Sequence, residues 1–213
     1  MVAAARGATL YRWGNPAAYD AGTRSDQKLY QQHDAEWIPE GYPGAGNITV
    51  FNNGLGRAYS TIDEFTPPVD GSGNYALTAG AAFGPSDFAW SYTANPPESL
   101  YAEAISGAQR LANGNTLIDD GTHGTFLEVT AGGETVWKYV NPVVRTGPLA
   151  QGEAIPLDPA RAGELMNAVF RVYRYGAEYA GLAGRDLTPG LPVEGDGAVA
   201  GKWMYLPVVT RTP

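Results

Sequence analysis

Two histidines and no cysteine occur in the 213-residue chain. Disulfides, zinc-thiolate sites and cysteine nucleophiles are therefore excluded, and nucleophilic or acid–base work at neutral pH points first to imidazole. His33 stands in Gln31-Gln32-His33-Asp34-Ala35-Glu36-Trp37. Its imidazole could serve as nucleophile or general base; the alternative is a structural histidine bonded to a neighbouring strand or carboxylate. His123 stands in Asp119-Asp120-Gly121-Thr122-His123-Gly124, where flanking glycines let a ligand approach the backbone closely. The alternative there is an exposed turn histidine. Arg57, in Asn52-Asn53-Gly54-Leu55-Gly56-Arg57, presents a planar fork suited to sulfate, phosphate or carboxylate, although most arginines simply sit at a surface. Asp119 and Asp120 could bind a cation, but turn chemistry accounts for both. Asp70-Gly71-Ser72-Gly73-Asn74 opens like a calcium loop, yet no glutamate closes it at the required spacing, so it reads as a hairpin tip. No P-loop, dinucleotide fingerprint, His-Glu-x-x-His or Gly-x-Ser-x-Gly pattern is present.

The elements that must position these residues are short strands. Asn115–Ile118, Thr125–Thr130 and Thr135–Val140 are runs of β-branched and aromatic residues punctuated by glycine, which predicts a meander closed by Asn141-Pro142. The unit recurs. Gly7–Pro16 lies on Gly133–Pro142 without a gap, Phe88–Pro96 repeats it with one extra residue, and Gly46–Gly54 repeats the opening at Gly114. The closing prolines stand at 16, 96 and 142. Multi-stranded units repeating at roughly 40–50 residues are the mark of a β-propeller blade; the longer step predicts a blade with long loops.

Taken in order, residues 8–14 are expected to be the closing strand of a blade whose earlier strands lie outside the chain, so the chain should begin mid-domain. His33–Ile38, Asn47–Asn52, Ser60–Phe65 and Phe88–Thr93 form one full blade, with His33 on its first, innermost strand. Ser106–Pro142 forms the next, with His123 between its first two strands. Asn167–Tyr175 alternates and predicts a further strand, a short helix capped by Asp158 is predicted at Pro159–Met166, and Trp203–Val209 reads as a final strand. The domain reading is a partial propeller over residues 1–193, made of one closing strand, two full blades and a partial blade, with a tail over 194–213. The fold class is all-β.

Glycine and proline, 28 and 16 residues, make about a fifth of the chain, which suits many turns. A net charge of −8 argues against a nucleic-acid partner, which needs a basic surface. No apolar run reaches the length of a membrane span, and the N-terminal residues lack a signal peptide's apolar segment.

Together these strings resemble the arylsulfotransferase family, the bacterial aryl-sulfate sulfotransferases. The resemblance is carried by Tyr11–Pro16, Gln32–Pro39, Gly46–Gly54 with Arg57, Gly114–Ile118, Phe126–Thr130, Trp137–Pro142, Val169–Tyr175 and Gly184–Gly190, and so covers roughly residues 8–193. It implies a six-bladed propeller, expected to be incomplete in this chain. It also implies sulfuryl transfer from an aryl sulfate donor to a phenolic acceptor through a sulfated histidine, without a nucleotide or other cofactor. His33 and Arg57 resemble the family's supporting histidine and arginine, and His123 is the downstream candidate for the nucleophile. A periplasmic or extracellular setting is implied as well, and a second chain or a homo-oligomer would complete the propeller. Two competitors stand beside this reading. One is a non-catalytic propeller scaffold or inactive fragment. The other is a hydrolase or lactonase on the same architecture, which would need a metal held by carboxylates and asparagines.

Overall fold

A computed structural model describes residues 10–161 and 163–194. The predicted strands resolve into two four-stranded antiparallel sheets, each a meander in chain order. The first contains β1 (Gln32–Trp37), β2 (Ile48–Asn52), β3 (Thr61–Phe65) and β4 (Trp90–Thr93). The second contains β5 (Gly107–Arg110), β6 (Thr116–Asp120), β7 (Thr125–Val129) and β8 (Thr135–Val140). A small hairpin, β9 (Val143–Val144) with β10 (Gly147–Pro148), follows. The described residues contain short 3₁₀ turns and no α-helix, so the fold is all-β.

Side-chain alternation gives each sheet two faces. The cross-strand row Phe51, Ile62 and Tyr92 of the first sheet packs against Ala108, Ile118 and Val129 of the second, with Leu100 and Ala102 filling in from the connection between the sheets. Phe51, Ile62, Ile118 and Val129 are fully buried, and each contributes roughly 1.5–3 kcal/mol by leaving water. A buried ion pair also crosses this interface, Arg110 Nη2 of β5 lying 2.5 Å from Glu64 Oε2 of β3.

The opposite face of the first sheet carries Val50 and Phe65, which pack with Leu29 and are covered by Tyr11, Trp13 and Phe88. The Trp13 ring stacks on Phe65 with centroids 4.1 Å apart, and its indole N–H donates to the Pro85 carbonyl at 2.7 Å. Residues 10–14 therefore do not form the expected closing strand. Their aromatic side chains dock on a sheet face, and their backbone joins no ladder.

Three more expectations are corrected. Asn167–Tyr175 runs along the second sheet without becoming a strand. The side chain of Gln109, not the backbone of β5, takes its hydrogen bonds: Gln109 Oε1 accepts from the Arg174 N–H and Nε2 donates to the Arg174 carbonyl. The helix at Pro159–Met166 is absent among the described residues. Asp158 does accept from the Ala160 N–H, but the Asp158 and Met166 amides donate across the loop, to the Glu164 and Pro156 carbonyls. Finally, His123 lies between β6 and β7, the second and third strands of its sheet. The expected strand at Trp203–Val209 lies outside the described residues.

Candidate functional site

His33 is the second residue of β1, and its ring is fixed by a buried neighbour. Its Nδ1 lies 2.7 Å from Asn53 Oδ1. The Asn53 amide nitrogen donates to the Ala102 and Ile105 carbonyls, so Oδ1 must be an acceptor and His33 Nδ1 must carry the proton. In the neutral ring Nε2 then holds the free lone pair. Asn53 is fully buried, which makes it a rigid anchor.

Arg57 is brought to the same end of this sheet. Its loop joins β2 to β3, and the loop amides of Gly54 and Leu55 donate to the Tyr30 carbonyl, three residues before His33. The guanidinium carbon lies 5.0 Å from the Tyr30 ring centroid and 4.8 Å from that of Tyr59. Nη2 donates to Thr61 Oγ1 at 3.3 Å. Stacking on two rings holds the fork.

His123 occupies the equivalent connection of the second sheet. Its Nδ1 lies 2.8 and 3.0 Å from the two carboxylate oxygens of Asp120. That hydrogen bond raises the imidazole above its ordinary value, against the opposing effect of burial, and it too directs the Nδ1 proton inward and Nε2 outward. The backbone beneath is locked by Asn167, whose amide donates to the His123 and Asn141 carbonyls. Gly124 adopts φ +53, and a Cβ there would fall 2.1 Å from the Asn167 carbonyl oxygen.

The two histidines share one end of the paired sheets. The link is the connection entering β5: the Ile105 carbonyl accepts from Asn53, the anchor of His33, and Ser106 Oγ accepts from the Gly121 N–H at 3.0 Å, two residues before His123. Ile105 and Ser106 both hold left-handed backbone, φ +48 and +80. That conformation is costly for residues with a Cβ and is typical of positions the surroundings over-determine. No hydrogen bond joins His33, Arg57 and His123 to one another among the described residues.

Two buried carboxyls beneath this end were not anticipated as part of the site. Asp119 faces Gly107 across β6 and β5. It is fully buried, and neither carboxylate oxygen has a hydrogen-bond partner. Burial, reinforced by Asp120 and Asp34, pushes it up to about 8, which favours its protonated form at neutral pH. Its carboxylate makes no turn hydrogen bond, whereas Asp120, the last residue of β6, turns its carboxylate to Thr122 and His123 of the following turn, so turn chemistry accounts for Asp120 alone. Asp34 sits at the bulge of β1 with φ +55, and its Oδ1 pairs with Arg171 Nη2 at 2.9 Å. Burial and the nearby Glu36 carboxylate raise it to about 6, against the pull of Arg171. The signal for Asp119 was in the repeat: Gly46–Asn53 aligns with Gly114–Gly121, which sets Asp119 where the first sheet has its core residue Phe51.

The Asp70 loop is a plain turn, with Asp70 Oδ1 accepting from the Ser72 and Asn74 amides. Among the described residues no three His, Asp or Glu side chains gather in a way that could hold a metal ion, and no helix is long and apolar enough to cross a membrane. Compared with protein-family models, with curated proteins and with solved structures, the chain finds no match.

Proposed function

We propose that the chain is part of an arylsulfotransferase-like six-bladed propeller that moves a sulfuryl group from an aryl sulfate to a phenol through a sulfated histidine. One observation carries the proposal: His33 and His123 stand at the same end of two consecutive meanders, each with its Nδ1 proton tied to an acceptor and Nε2 left as the free nitrogen. A closed propeller takes at least four blades, so further sheets come from outside the described residues, from the same protein or a second chain. A periplasmic or extracellular setting belongs to the same proposal.

The chemistry follows from these groups. Neutral Nε2 attacks sulfur, an N–S bond forms, and the S–O bond breaks to release phenolate. The acceptor phenol then gives up its proton to a neighbouring base and attacks sulfur, and the N–S bond breaks. His123 suits the nucleophile, since Asp120 steadies the positive charge that grows on its ring. His33 and Arg57 would steady charge on the leaving oxygen and the sulfonate.

The test is incubation of the protein with 4-nitrophenyl sulfate and phenol, with His33→Ala and His123→Ala beside the wild type. The reading expects nitrophenolate release that needs phenol and falls by at least 10²-fold in one of the variants. A well-folded sample that releases none overturns autonomous transfer and leaves the non-catalytic propeller reading.

A further inference from the structure

A cleft of about 560 Å³ opens at the other end of the two sheets, between the ends of β1 and β5 and the segment that follows Tyr173. It lies four residues along β1 from His33, roughly 13 Å at strand spacing, and plays no part in the proposed transfer chemistry. Trp37, Tyr175 and Tyr179 line it with about half of their surface exposed, at 52%, 47% and 49%. The Tyr175 and Tyr179 rings pack together with centroids 4.4 Å apart. Large aromatic faces left open around a concave site call for a ligand that uses them.

The charges of the cleft narrow the ligand class. Its two arginines are already neutralised. Arg110 pairs with buried Glu64 and lies 4.8 Å over Trp90. Arg174 pairs with Glu128 and lies 4.8 Å over Trp137. Arg171, just behind, is paired with Asp34. Glu36 and Glu178 also line the cleft, and neither makes a direct ion pair among the described residues, Arg171 reaching Glu36 only through the Tyr173 hydroxyl. Glu36 is held in place by the hydroxyl of Tyr173, which donates to it. The site therefore offers π faces together with two acidic residues that make no direct ion pair.

We propose that this cleft binds a small organic cation, an alkylated ammonium compound of the choline type. Such a cation is weakly hydrated, so it can leave water for a ring face, whose quadrupole attracts it, while a carboxylate supplies the counter-charge. A hard metal ion would gain nothing from the rings, and a phenol or sugar would leave both carboxylates without a counter-ion.

Calorimetric titration of the full chain with choline tests this, run beside the neutral isostere 3,3-dimethylbutan-1-ol, methyl glucoside and phenol. Choline is expected to bind one site at least tenfold more tightly than the neutral isostere, and to weaken as sodium chloride is raised. Trp37→Ala and Glu178→Gln, both at accessible positions, should each weaken choline several-fold while circular dichroism stays unchanged. Equal or tighter binding of the isostere, the glucoside or phenol overturns the proposal. So does the absence of choline binding by folded protein at millimolar concentration. The outcome is independent of sulfuryl transfer.

Discussion

The carboxylate of Asp34 fills the space that a side chain at position 107 would need: a Cβ built on Gly107 would lie 2.1 Å from Asp34 Oδ2. The first strand of one sheet thus reaches into the first strand of the next, and Gly107 in turn faces the buried Asp119. The two sheets meet at this point through a glycine and two acids.

Gly107→Ala should therefore destabilise the fold by about 1–3 kcal/mol, as overpacking does. The strain comes from one side chain, so Asp34→Ala in the same molecule should recover much of it. A double-mutant cycle by urea denaturation checks the coupling; additive losses would mean that the contact is not the cause.

Asp119→Asn should make stability less dependent on pH. A carboxyl raised to about 8 in the fold binds its proton more tightly there than in the unfolded chain, where it titrates near 4. Between these values the native state holds more protons, so stability falls as pH rises. The variant lacks this loss, and its advantage over the wild type should grow from pH 4 to pH 8. Denaturation at a series of pH values reads it, and a difference flat with pH would contradict the assignment.

Asp120→Asn should lower the titration midpoint of His123, because the Asp120 hydrogen bond is what raises it. A raised imidazole contributes stability that is present below its unfolded value near 6.5 and is lost as pH rises through the folded one. The ring is half exposed, so the contribution to stability is small and the midpoint itself is the better reading. Nitrogen-detected NMR of the imidazole measures it.

Glu64→Gln should cost about 3–5 kcal/mol, since it leaves Arg110 charged, buried and unpaired. Replacing the pair together, Arg110→Met with Glu64→Leu, should cost markedly less. Thermal and chemical denaturation of both variants separates the two cases.

Much of the all-β architecture was legible because its signals are local. β2, β6, β7 and β8 fall within two residues of the expected strands, since β-branched runs broken by glycine leave few other conformations. The match between Gly46–Asn53 and Gly114–Gly121 carried the correspondence of the two sheets. The misread segments have the same local pattern but lack a backbone partner. Leu10–Gly14 and Asn167–Tyr175 look like strands, yet aromatic docking and the Gln109 side chain hold them where a ladder would have been.

Residue types alone determined which side chains could do chemistry: with two histidines and no cysteine, His33 and His123 had to be the imidazole candidates, and Arg57 a candidate anion partner. What the tertiary structure decided is how those groups are held. Asn53 and Asp120 fix each ring's proton on Nδ1, Tyr30 and Tyr59 hold Arg57 between them, and the Ile105–Ser106 connection brings the two histidines to one end. It also decided that Asp119 is buried without a partner and that Arg110 and Arg174 are neutralised beside an aromatic cleft. Each of these depends on which distant residues become neighbours, and burial, hydrogen-bond partners and proton affinity are properties of that neighbourhood.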